Sequence, residues 1–261
     1  MFADSHCHLE MESYDEDRGD VIKQSVREGL HYMLTVGTEE AYFNKVIEII
    51  DGFPMVYGAL GIHPHNSNAY GPDVADKIRH LAAHPKIVAY GEIGLDYFKN
   101  HSPREAQIKA FRQQLELAQT LGLPIIVHSR DAREETYAIL KEASANECGG
   151  VIHCYSYDLD YVKKFLHLGF YISIPGTITY TKAQELQKVV QYVPDDRLLA
   201  ETDAPFLTPS PHRGKRNVPS YVKLTIEKIA FLRGKDLEEL GTVMCHNFEK
   251  LFLKTPKGKR A

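Results

Sequence analysis

Eight short apolar, β-branched runs separated by amphipathic stretches constrain this chain more than any other feature it has. They occupy residues 2–5, 32–36, 55–60, 87–90, 124–127, 150–152, 170–174 and 198–200, and the seven intervals between the first and last starts average 28 residues. Runs of this length read as strands, and strands that alternate with helical patterns imply parallel pairing through crossover helices. The class is therefore α/β. Eight such units in roughly 250 residues is the repeat count of a (β/α)8 barrel, the TIM-barrel architecture. A chain of 261 residues fits one domain over 1–261, and no low-complexity linker divides it.

Helical periodicity fills most of the gaps, at 17–28, 40–50, 103–121, 132–145, 161–168, 183–192 and 221–232, with a further helical pair over 237–253. The clearest signal is 103–121. Ser102 is expected to cap it, with Pro103 in the first turn and Glu105 completing a Ser-x-x-Glu capping box. Ile108, Phe111, Leu115 and Ala118 recur at helical spacing as one apolar face, and Gly122 supplies the stop.

A net charge of −4 and a pI near 6.4 exclude a whole-protein basic field of the kind that holds nucleic acid non-specifically, so any such contact must be local. Asp4 and His6 interrupt the amino terminus at once, so no secretion signal is read there, and no apolar run approaches the roughly 18 residues that span a bilayer. The expectation is a soluble, cytoplasmic protein that has no membrane contact and no obligate protein partner. The four cysteines, Cys7, Cys148, Cys154 and Cys245, lack paired spacing and read as reduced thiols.

Chemistry gathers where the apolar runs stop. Asp4 to His8, His63 to His65, Gly91 to Asp96, His128 to Asp131, His153 to Tyr155 and Glu201 to Asp203 each follow a candidate strand. In a parallel barrel all carboxyl ends open on one face, so these distant segments converge. The His6-x-His8 spacing matches the period of two of an extended chain and directs both imidazoles to one side, with Cys7 on the other. Alone, such a pair also fits an ordinary loop. With Glu92, His128, His153 and Asp203 it makes four imidazoles and two carboxylates, a donor set suited to zinc, manganese or iron, and to magnesium where water completes the shell. Six ligands imply two divalent ions, with Glu92 as the candidate bridge. Glu201 faces the same side as Asp203 and is read as orienting a ligand histidine. Asp4 reads as a supporting partner or a cap. Cys7 and Cys154 are expected to turn away as small buried hydrophobes. His31, His80, His84, His101, His167 and His246 fall on helices or turns and take no part.

Together these blocks resemble the TatD family of metal-dependent hydrolases, within the wider amidohydrolase-like group of metal barrels. They are DSHCHL at 4–9, GIHPH at 61–65, GEIGLDY at 91–97, PIIVHSRDA at 124–132, IHCY at 152–155, ETDAPFL at 201–207 and RGKRN at 213–217 with Pro219, in family order. The resemblance implies a magnesium- or manganese-stimulated deoxyribonuclease acting from the 3′ end of single-stranded DNA, with RNA left open as a substrate. It implies that His6 and His8 hold one ion with Glu92 and Asp203, and that Glu92, His128 and His153 hold the other. Asp203 would be both ligand and base, with Glu92 the second catalytic carboxylate. No lysine stands where larger relatives bridge their metals with a carboxylated one.

His65, Arg130, Lys215 and Arg216 are candidate phosphate contacts, because imidazole, guanidinium and ammonium groups donate to phosphate oxygens. The basic cluster His212 to Arg216 directly follows the Asp203 strand, where many barrels bind phosphate. Lys254, Lys257, Lys259 and Arg260 read as a solvated tail. Tyr97, Phe98 and Phe206 could stack on a base or pack in the rim. A second enzyme reading keeps the metals and changes the bond to an ester or amide, such as the ester of a D-aminoacyl-tRNA. An inactive binding barrel should lack ligands, and all six are present.

Overall fold

A computed structural model describes residues 1–253; the tail cations Lys254, Lys257, Lys259 and Arg260 lie outside the described residues. Eight strands follow one another in space in chain order, each parallel to the next: β1 Phe2–Cys7, β2 Leu30–Gly37, β3 Val56–Leu60, β4 Ile87–Asp96, β5 Ile125–Arg130, β6 Gly150–Ile152, β7 Tyr171–Ile174 and β8 Leu198–Ala200. Between and after them run α1 Arg18–Arg27, α2 Glu40–Gly52, α3 Pro72–Leu81, α4 Arg104–Leu121, α5 Arg133–Glu142, α6 Leu159–His167, α7 Gln184–Tyr192, α8 Val222–Arg233 and α9 Leu237–Phe248. This is the (β/α)8 TIM barrel expected from the eight runs. It closes just past β8, where Cys7 bridges Ala204, His8 N–H donates to Ala204 O (2.7 Å) and Asp203 N–H donates to His6 O (3.0 Å). The seam thus brings His6, His8 and Asp203 together.

Strand residues alternate between two buried clusters. Met33, Ile93, Ile125, Val127 and Ile172 pack outward with helix residues such as Phe111, Leu115 and Phe165. Ala3, Leu34, Val36, Ala59, Ile126, Val151 and Leu199 fill the lumen, closed from below by Phe248, Leu251 and Phe252. The apolar centre is therefore packed, and the clustered imidazoles and carboxylates lie at the carboxyl ends of the strands.

Several local expectations need correction. Ser102 does not cap α4: its hydroxyl donates to the His65 carbonyl (2.7 Å), and Pro103 occupies the cap position without a side-chain bond. The long-range tie to the His65 loop takes the group a capping box would have used. Gly122 does end α4, in the left-handed conformation at φ +62°. Helix α3 was not foreseen, because only Val74 and Ile78 form its buried stripe. The expected pair over 237–253 is α9 running straight into a π-helical turn, Glu249–Leu253. All four cysteines are unpaired thiols, and no described helix is long and apolar enough to cross a membrane.

Candidate metal centre

Alternation along β1 and its extension sets the first group of donors. His6 and His8 face the same side, with their Nε2 atoms 3.2 Å apart, while Cys7 points away and its thiol donates to Leu34 O. Across the seam Asp203 places Oδ1 3.3 Å from His8 Nε2 and 3.8 Å from His6 Nε2. Its backbone is left-handed at φ +55°. Buried Asp4 ties β1 to the β8 end, accepting from Thr202 N–H (2.9 Å) and Thr202 Oγ1 (2.5 Å).

Glu92, within β4, joins this group to a second. Its Oε2 lies 3.3 Å from His6 Nε2, while Oε1 lies 2.7 Å from His128 Nδ1, 3.0 Å from His153 Nε2 and 3.5 Å from His63 Nε2. One carboxylate oxygen thus serves each side, as a bridge between two cations requires. All six expected ligands therefore converge, together with His63.

Behind the ligands stand carboxylates that fix the imidazoles. His8 Nδ1 lies 3.0 Å from Val36 O and 3.1 Å from Glu10 Oε1, and Glu10 Oε2 accepts from Thr35. His128 Nε2 lies 3.1 Å from Asp96 Oδ2, which is also 3.0 Å from His65 Nε2. His153 Nδ1 faces Glu201 Oε1 at 3.1 Å, an ion-pair distance without hydrogen-bond alignment. Each partner leaves the other ring nitrogen directed at the centre.

Burial alone would raise Glu92 and Asp203, but the surrounding imidazoles outweigh it and hold both carboxyls below their usual range. For His8, His128 and His153 burial would lower the imidazole, yet the facing carboxylates win and raise all three. Burial dominates at His6, which is lowered, and at His63, pushed down to about 4. Metal binding at such imidazoles competes with protons and is therefore pH-dependent. Packed imidazole nitrogens and two ionised carboxylates, with the buried His6 Nδ1 and both Glu201 oxygens lacking aligned partners, fit divalent cations bound by nitrogen and oxygen.

These groups floor a cavity of about 540 Å³ at the carboxyl ends of the strands. His65 and Arg130 line it, but Lys215 and Arg216 do not. Arg216 is engaged by both oxygens of Asp17 (3.0 and 2.5 Å) and lies over the Tyr14 ring, while Lys215 is exposed outside the cavity. Contrary to expectation, Cys154 lines the cavity, because its left-handed backbone at φ +47° breaks the strand alternation. Four participants were missed. His63 and Asp96 had usable signals: His63-x-His65 repeats the His6-x-His8 spacing after a strand, and Asp96 shares a strand face with Glu92. Glu10 had none, and neither had His101, which was expected to take no part but lines the cavity with its ring 4.6 Å from that of His65.

Because Asp96 holds the far nitrogen of His128, on the two-ion reading proposed below Asp96→Asn is expected to weaken binding of one ion about 10- to 100-fold and leave the other unchanged. Competitive metal titration of the folded variant measures this. Equal losses at both ions would show that Asp96 does not act through His128.

A family model described as TatD related DNase matches residues 3–253. The chain is 40% identical over 252 residues to an uncharacterized metal-dependent hydrolase, YabD, of Bacillus subtilis, covering 97% of this chain and 99% of that one. It is 34% identical to a protein of Rahnella named 3'-5' ssDNA/RNA exonuclease TatD, over 94% and 95% of the two chains. Among solved structures, the TatD homolog YJJV of Escherichia coli superposes with a TM-score of 0.91 at 29% identity, covering 97% of this chain and 98% of that one. A match over 97% of the chain, on a barrel whose strand ends gather these imidazoles and carboxylates, makes the chain a member of the TatD-related DNase family of metal-dependent hydrolases.

Proposed function

We propose that this protein is a two-metal phosphodiesterase that removes nucleotides from the 3′ end of single-stranded DNA, and of RNA. The observation that carries the reading is the Glu92 carboxylate, whose two oxygens face two separate groups of donors. The exonuclease name of the Rahnella relative supports the choice of substrate. Magnesium, manganese or zinc, which His6, His8, Glu92, His128, His153 and Asp203 would hold, would supply the Lewis acidity that phosphoryl transfer to water requires.

The chain's own groups do the rest. Asp203, ionised and open to the cavity, accepts a proton from the attacking water. Glu92 keeps its charge between the two groups. His65 and Arg130 reach the cavity as donors to the phosphate oxygens, His65 held in place by Asp96. Glu10, Asp96 and Glu201 keep the ligand imidazoles oriented, which limits reorganisation as charge builds on phosphorus.

Digestion of a 5′-labelled single strand with magnesium or manganese tests this. A ladder shortening from the 3′ end, abolished by chelator, is expected. Intact DNA from a metal-loaded protein would overturn the reading and favour an ester or amide as the scissile bond.

A further inference from the structure

The three aromatic candidates for base stacking, Tyr97, Phe98 and Phe206, differ in their surroundings. Tyr97 is packed away: its hydroxyl donates to Glu135 and Arg104 covers its ring at 4.1 Å. Phe206 and Phe98 remain 49% and 57% exposed. Phe206 lines the cavity, three residues beyond Asp203 and with its ring 6.2 Å from that of His8. Its backbone is pinned at both ends, N–H donating to Asp203 O (2.8 Å) and O accepting from the buried Asn217 Nδ2 (2.6 Å). A half-exposed phenyl ring beside His8 and Asp203 adds little to the core. Phe98 follows β4, which lies across the barrel from β8, and Arg130 stacks over one of its faces at 4.7 Å.

Charge strengthens the case for these rings. The chain is acidic overall, Arg216 is bound to Asp17 and Arg213 lies over Tyr180. Among the described residues Arg130 is the one lysine or arginine that lines the cavity, so stacking is left to supply much of a single strand's affinity. We propose that Phe206 is the platform for the terminal 3′ base, and that Phe98 with Arg130 carries the retained strand where it leaves over the opposite rim. The terminal nucleotide goes to Phe206 because that ring lines the cavity and is half exposed, whereas Phe98 is outside it and Tyr42, the other aromatic side chain lining it, is less exposed. This rests on the nuclease reading and names what selects its substrate, namely an unpaired base at the strand end.

The test crosses two changes. Strands ending in an ordinary nucleotide or in an abasic residue are cleaved by the wild type, Phe206→Ala and Phe206→Tyr, and their binding is followed by anisotropy in chelator. Removing the base or the ring should each raise KM and Kd roughly 5- to 100-fold, with no further loss when both are removed. The Tyr variant should behave as wild type, with kcat little changed throughout. Phe98→Ala should weaken longer strands but spare a dinucleotide. Additive losses, or none, in a protein that cleaves the strand would overturn the platform and leave the nuclease standing. Binding without cleavage by the wild type would overturn the nuclease, while the binding cycle still judges the platform. Neither binding nor cleavage would overturn both.

Discussion

Asp203→Asn is expected to lower kcat on a single-stranded oligonucleotide by about 10³-fold or more while leaving the melting temperature close to that of the wild type. General-base removal alone is worth roughly 10²–10⁴, and Asp203 also faces His8 and His6 across the first group of donors. Asparagine keeps the shape and one carbonyl oxygen but has no charge and accepts no proton. It is the right probe because residue 203 is left-handed at φ +55°, a conformation asparagine tolerates better than alanine does. Metal content measured alongside the rate divides the two roles. Retained metal with a collapsed kcat assigns Asp203 to proton transfer, and lost metal assigns it to ligation. A variant within tenfold of wild type with its metal intact would place the base elsewhere.

How far the sequence foreshadows this site depends on the range of the interaction involved. Strand positions were legible because burial on both faces demands continuous β-branched runs. The strand ends were not: β4 was expected to stop at Tyr90 and runs to Asp96, and β5 continues through His128 to Arg130. Polar ligands read as loop residues, yet they extend the ladder because neighbouring strands still pair with them. Convergence of the six ligands followed from parallel topology alone. Contacts set by the final packing left no local trace. Arg216 looked like a free cation until Asp17, distant in sequence, met it. Ser102 looked like a cap until the His65 carbonyl arrived.

The second large effect concerns backbone rather than chemistry. Gly94→Ala is expected to destabilise the protein by about 3–5 kcal/mol, at the upper end of single-residue effects, and to impair metal binding at the Glu92–His128 side. Gly94 sits in β4 opposite His128 in β5, at φ +144°, where an added Cβ would overlap the His128 carbonyl oxygen. The overlap is with backbone, so no side chain can swing aside, and β4 and β5 must separate. On the same strand Glu92 and Asp96 flank residue 94 and hold the two nitrogens of His128 at 2.7 and 3.1 Å. A shift that relieves the clash therefore loosens a ligand at both of its contacts. Gly52→Ala is the control: it ends α2 with nothing within 4 Å of the added atom, so it should be neutral or stabilising by up to about 1 kcal/mol. Thermal melts and metal titration of the two variants decide the matter. If Gly94→Ala melts with the control and holds both ions, then close β4–β5 pairing is not what aims His128 at Glu92.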